Sequence, residues 1–207
     1  VVRYMLLDFK VKNYKSFQQE VSFSMIPAPK QKGLDYSVFE KKIDNKRKKA
    51  ICSSVIYGPN AAGKTNIIGA MDTMRAIVLR GHILNIDESS INEAANCLEL
   101  IPNNKLKERK PVCFYISFIE DNYCIEYSFS MNIGFFLEKN FQRVIIDEKL
   151  CINDYLIFNR KDNHVDLKYT KKLADLFMVN ADTFNGMKDI VDASLNSTEL
   201  FLMNGFK

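Results

Sequence analysis

The sequence predicts an α/β fold with α+β character, and three observations carry that reading. The apolar run Ile51 to Tyr57 leads straight into Gly58, as a buried strand ending at a turn would. Beyond Gly63 the period changes: Ile67, Met71, Met74 and Val78 recur at spacings of four, three and four residues and so share one helical face. From Leu98 to Leu167, short runs rich in β-branched and aromatic residues are separated by polar turns, the pattern of an antiparallel meander.

In chain order, Met5, Leu7, Phe9 and Val11 alternate as in a half-buried strand, and Leu6 breaks the period. Val21 to Met25 alternates again until Pro27 and Pro29 end the run, so these two segments predict a hairpin. Residues 30–49 are polar and basic and read as a loop. The helix after Gly63 should stop near Gly81, and Ser89 and Ser90 are capping-type residues for a short helix reaching Asn96. Strands follow at Val112–Ile119, Tyr123–Met131, Phe141–Ile146 and Tyr155–Phe158. Helical spacing returns with Leu173, Leu176 and Phe177 and again with Leu195, Leu200 and Phe201. The organisation expected is a core at 1–97, a strand-rich segment of the same unit at 98–169, and a helical segment at 170–207 that continues into a missing C-terminal half.

The chain has 207 residues, 47% hydrophobic and 26% charged, which excludes a disordered or collagen-like polymer. No apolar stretch approaches the ~20 residues of a membrane span, and no export signal opens the chain, so a cytoplasmic protein without a membrane partner is expected. Translation starting at Met5 is one reading of the first residues. The five cysteines (Cys52, Cys97, Cys113, Cys124, Cys151) are never closer than eleven apart, so they read as free thiols rather than a disulfide framework or zinc knuckle. His82 and His164 lack metal-ligand spacing.

Charge is concentrated in one place. Lys41, Lys42, Lys46, Arg47, Lys48 and Lys49 with Asp44 put +5 into nine positions, leaving 23 basic against 24 acidic residues elsewhere. Such a segment is either a solvated loop or a track for DNA phosphates.

One motif carries chemistry. Gly58-Pro59-Asn60-Ala61-Ala62-Gly63-Lys64-Thr65 is a complete G-x-x-x-x-G-K-[ST], and a chance match is expected roughly once in a hundred chains of this size or less often. Glycines permit a tight loop whose backbone N–H groups converge on phosphate oxygens, and the following helix adds the positive end of its dipole. Lys64 supplies a point charge for the β- and γ-phosphates, and the Thr65 hydroxyl is the ligand expected for Mg²⁺.

With Asn66 included, the form G-x-N-x-x-G-K-T-N resembles the Walker A of ABC-type ATPases related to SMC, RecF and OLD proteins, among them bacterial AAA-type ATPases associated with phage defence. Asn13-Tyr14-Lys15-Ser16-Phe17 is similar to the N-[FY]-[RK]-S-F segment that opens those proteins. The resemblance is specific over residues 5–80 and looser over 98–204, where Asn196 to Leu202 is similar to the corresponding region. It implies a P-loop NTPase lobe of ABC-ATPase type, ATP and Mg²⁺ as cofactors, Lys15 close to phosphate and an aromatic neighbour near the base. Core packing is the alternative for Tyr14 and Phe17. It also implies a homodimer or higher oligomer closing around ATP, an effector protein and DNA transactions.

The rest of that family's catalytic apparatus does not follow. There is no L-S-G-G signature, and Ile145-Ile146-Asp147-Glu148 imitates a Walker B but reads as a strand running into a turn; otherwise Glu148 would be the catalytic base. ATP turnover is therefore expected only for the complete protein, with elements outside this chain. The alternative is a non-hydrolysing, nucleotide-dependent regulatory module. A nucleoside-kinase-like enzyme is a third reading, weakened because no lid-type arginine cluster follows the helix.

Overall fold

A computed structural model describes residues 4–29, 33, 35–60, 62–84, 100–138, 141–168, 180, 182–183 and 195–204. The strands are β1 (Tyr4–Lys12), β2 (Val21–Ser24), β3 (Val38–Ile43), β4 (Lys46–Ile51), β5 (Val112–Glu120), β6 (Tyr123–Asn132), β7 (Val144–Ile152), β8 (Tyr155–Lys161) and β9 (His164–Leu167). Helix α1 (Lys64–Arg80) lies between β4 and β5 in the chain, and α2 (Phe201–Asn204) ends the described residues.

Seven strands form one sheet in the order β2-β1-β5-β6-β7-β8-β9, and β3 and β4 pair separately. Every described pairing is antiparallel. This overturns the α/β expectation and with it the P-loop NTPase lobe of alternating strands and helices. The cause is in the connections. Asp44, Asp121, Asn153, Asp154 and Asp162 sit at the strand turns with φ of 49°, 47°, 53°, 66° and 50°. Asp and Asn tolerate that left-handed region, and two-residue turns return a chain only antiparallel to itself.

Several elements differ from the sequence reading. The basic segment assigned to a loop is the β3–β4 hairpin, in which Lys41 faces Lys48 and Lys42 faces Arg47 across the strands. The strand expected at Ile51–Tyr57 is absent: Ile51 closes β4, and Val55, Ile56 and Tyr57 are 83%, 41% and 91% exposed. With no described strand beside it, that run has no ladder to join. Strand β7 begins at Val144 rather than Phe141 and continues through Glu148 to Ile152, so Asp147-Glu148 lies within a strand rather than at a turn. Strand β9 was not expected, and the predicted helices at 89–96 and 173–177 lie outside the described residues.

The Leu6-Leu7 irregularity has a structural cause. The β1–β5 register slips between Leu6 and Asp8, leaving Leu7 as an inserted residue. Leu6 and Phe9 therefore line the same cavity beneath α1, while Leu7 packs with Ile43, Ala50, Ile119 and Cys124 on the hairpin side. One bulge thus lets a single strand serve two cores.

The larger core joins α1 to the sheet through Ile67, Ala70, Met74 and Ile77 against Phe9, Val11, Phe114 and Phe129. The buried helical stripe is rotated slightly from the predicted one, since Met71 and Val78 are only partly buried. Each fully buried large apolar side chain contributes about 1.5–3 kcal/mol relative to exposure. Gly81 ends the helix near its expected place, with φ 76° and its N–H bonded to the Ile77 carbonyl. Among the described residues no helix is long and apolar enough to cross a membrane.

Two charges lie within this core. Glu148 and Arg160 are cross-strand neighbours on β7 and β8, both wholly buried, with 3.7 Å between charged atoms. Arg160→Met leaves that carboxylate without its countercharge and should cost about 3–5 kcal/mol. Urea denaturation checks this, and a loss below about 1 kcal/mol would contradict the buried pair.

Candidate functional site

The Gly58–Thr65 loop is placed by the end of β1. Past Lys12 the chain turns sharply: the Tyr14 N–H bonds to the Phe17 carbonyl (3.0 Å) and the Phe17 N–H to the Tyr14 carbonyl (2.8 Å). Asn13 and Lys15 adopt φ of 55° and 48° to make this turn. Buried Asn103 secures it from behind, donating its side-chain N–H to the Lys15 carbonyl (2.8 Å) and its backbone N–H to Asn13 Oδ1 (3.2 Å). The Lys15 N–H in turn bonds to the Ile101 carbonyl (2.8 Å).

Helix α1 rests on this turn. The Tyr14 ring is fully buried, and its hydroxyl hydrogen-bonds Thr73 Oγ1 at 2.9 Å and reaches the Gly69 carbonyl at 3.4 Å. A Cβ at Gly69 would lie 3.7 Å from Lys15 Nζ, an ordinary contact. Asn66 Nδ2 donates to Ser16 Oγ at 2.7 Å. Gly63 has φ 90°, and a Cβ on it would stand 2.9 Å from the Phe17 ring and 3.1 Å from Ser16 Oγ. Position 63 is therefore restricted to glycine by its backbone and again by contact.

Lys64 is the first residue of α1, and its ammonium reaches back over the loop to the carbonyls of Gly58 (2.8 Å) and Pro59 (2.7 Å). The loop is tightened further by Ala62 N–H to the Pro59 carbonyl and Asn66 N–H to the Gly63 carbonyl. No side chain caps the helix start. Ahead of Asn66 the first-turn N–H groups have no intrahelical acceptor, so this end of a 17-residue helix presents donors and positive potential beside a lysine. Thr65 is exposed. The arrangement can receive an anion with several oxygens.

Most site residues predicted from the sequence come together. Gly58, Pro59, Asn60, Ala62, Gly63, Lys64, Thr65 and Asn66 form the loop and first turn, while Ala61 lies outside the described residues. Lys15 is half-buried, its Nζ 5.4 Å from the Tyr14 ring centroid and beside Gly69, five residues into α1. Tyr14 is core, and Phe17 packs both on the core and on Gly63.

Glu148 is not part of this assembly. It accepts hydrogen bonds from Tyr127 Oη (2.8 Å) and from the backbone N–H groups of Phe201 (2.7 Å) and Leu202 (2.9 Å). Burial pushes its carboxyl above the ordinary value despite these donors and Arg160. Within the hairpin, Arg47 and Lys49 pair with Glu40, and Lys46 pairs with Asp154. Lys41, Lys42 and Lys48 make no ion pair with described residues. Among those residues no cluster of His, Cys, Asp and Glu could hold a metal ion.

Sequence reasoning missed the Asn13–Asn103 brace and the Tyr127–Glu148–Arg160 network. The available signal was a charged residue at an inward position of each of two strands. No protein-family profile and no curated protein matches the chain.

Gly63→Ala should lower stability by about 1–3 kcal/mol from backbone strain, with further loss from the clash with Phe17. Gly33→Ala is the control, left-handed at φ 77° but with nothing among the described residues within 4 Å of its Cβ. Equal losses for the two variants in urea denaturation would contradict the Gly63–Phe17 contact.

Proposed function

We propose that the Gly58–Thr65 loop and α1 bind ATP with Mg²⁺. The observation supporting this most directly is the Lys64 ammonium held over the Gly58 and Pro59 carbonyls at the uncapped start of α1. A triphosphate would draw the ammonium to its β- and γ-oxygens and accept the loop and first-turn N–H groups. The Thr65 hydroxyl would join the Mg²⁺ shell.

The Walker A resemblance extends the reading to a cytoplasmic ATPase related to SMC, RecF and OLD proteins, acting in phage defence or on DNA and closing as an oligomer around nucleotide. In this proposal hydrolysis uses groups outside the described residues, because the bonds Glu148 makes leave it no role as base. The same observation favours the second reading, a module in which nucleotide binding sets conformation without hydrolysis. Turnover measured with its native partners separates the two.

Lys64→Ala should weaken Mg-ATP binding by about tenfold or more, in line with the loss of a charge-assisted contact, while circular dichroism stays unchanged. Equal affinity in titration calorimetry would refute ATP binding by this loop.

For DNA, the candidate contacts are Lys41, Lys42 and Lys48. Their joint replacement by Gln should reduce the slope of log affinity against log salt by about 3 if all three neutralise duplex phosphates. An unaltered slope would remove the hairpin as a DNA track.

A further inference from the structure

Tyr127, Glu148 and Arg160 project from β6, β7 and β8 into an apolar core, where uncompensated charge is costly. The closest partners of the two charged groups are not each other. Glu148 takes the N–H groups of Phe201 and Leu202 at 2.7 and 2.9 Å, and Arg160 gives one guanidinium N–H to the Asn196 carbonyl at 2.9 Å and another to that of Glu199. The carboxylate and guanidinium are 3.7 Å apart, farther than either is from this backbone. Arg160 also gives its Nε–H to the Asp162 carbonyl (2.7 Å), both charges hold residues 196–202, and Tyr127 fixes the carboxylate from the other side at 2.8 Å.

The opposite edge of the held segment touches the end of α1. The Leu200 N–H bonds to the Gly81 carbonyl (2.7 Å), the Ile83 N–H bonds to the Thr198 carbonyl (2.9 Å), and a Cβ at Gly81 would meet Met203 at 3.0 Å. Gly81 is the C-cap of α1. The helix is therefore fixed at both ends, on the Ser16–Phe17 turn at its start and on this strut at its finish.

We infer that Glu148, Arg160 and Tyr127 are positioning residues for the nucleotide loop: through the 195–204 strut they set the seat of α1, so that loop occupancy and order in the strut are coupled. This rests on the ATP-binding reading above. The physical link is one continuous 17-residue helix with defined contacts at each end. Coupling of this kind is reciprocal, so whatever factor nucleotide adds to strut order, the strut adds to nucleotide affinity.

Hydrogen exchange of the whole chain with and without Mg-ATP, read by mass spectrometry beside calorimetric titration, tests this. Mg-ATP should slow exchange of the Leu200, Phe201 and Leu202 amides in the unaltered protein by about fivefold or more, and Lys64→Ala should abolish the effect. Glu148→Gln, compared below its own melting temperature, should bind Mg-ATP more weakly by the same factor; a merely structural role would lower the melting temperature and leave affinity intact. Met203→Ala, which removes a partly exposed contact with Gly81, should weaken the coupling if Glu148→Gln does not fold. Mg-ATP binding with unchanged exchange at Leu200 to Leu202 would overturn the coupling alone. Failure of the unaltered protein to bind Mg-ATP would overturn the coupling together with the reading it rests on.

Discussion

Tyr14 is the point where sheet, helix and loop meet. It is the first residue beyond the Asn13 bend that ends β1, its ring is fully buried, and it stacks edge-on against Phe114 of β5 at 5.7 Å. Its hydroxyl reaches Thr73 and Gly69 on α1. Because the backbone on either side of the ring forms the Tyr14–Phe17 turn, anchoring the ring also places Ser16 and Phe17 beneath Asn66 and Gly63. A buried aromatic with a satisfied hydroxyl contributes area and direction together. The geometry of the glycine loop thus depends on a residue far from it in sequence.

What could be read from the sequence follows from how local the determinants are. Alternation in β1, β5 and β6, the end of α1 at Gly81 and the glycine–lysine motif are each set by residues within one element. The hairpin at Val38–Ile51 was hidden because lysines at Lys41 and Lys48 occupy the face that also carries Ile43 and Ala50, which masks the alternation. Long lysine side chains can lay their stems on apolar surface while their charge stays in water. Conversely, Val55-Ile56-Tyr57 has the composition of a buried strand, yet composition says nothing about whether a neighbouring strand is present to pair with it.

The site divides in the same way. The loop was legible because its chemistry resides in consecutive residues, whereas the contacts that orient it join positions far apart: Asn66 to Ser16, Gly63 to Phe17, and Asn103 to Asn13 and Lys15. Glu148 shows the reverse error, since four consecutive residues imitate a catalytic motif while two of its actual partners, the Phe201 and Leu202 N–H groups, lie about fifty positions later.

The buried charges explain why the 195–204 segment occupies one place. An apolar pair of similar volume at positions 148 and 160 could stabilise the sheet equally well, since desolvating two ions offsets much of their attraction. It could not select a backbone. A carboxylate that accepts two successive N–H groups demands the start of a helical turn at Phe201, and a guanidinium reaching two carbonyls demands the Asn196–Glu199 bend before it. Each demand fixes the path of the backbone, because a departure from it leaves a buried donor or acceptor unpaired, at about 1–3 kcal/mol each. The two charges set where this backbone runs, and the apolar contacts of Leu200 and Phe201 set which residues occupy it.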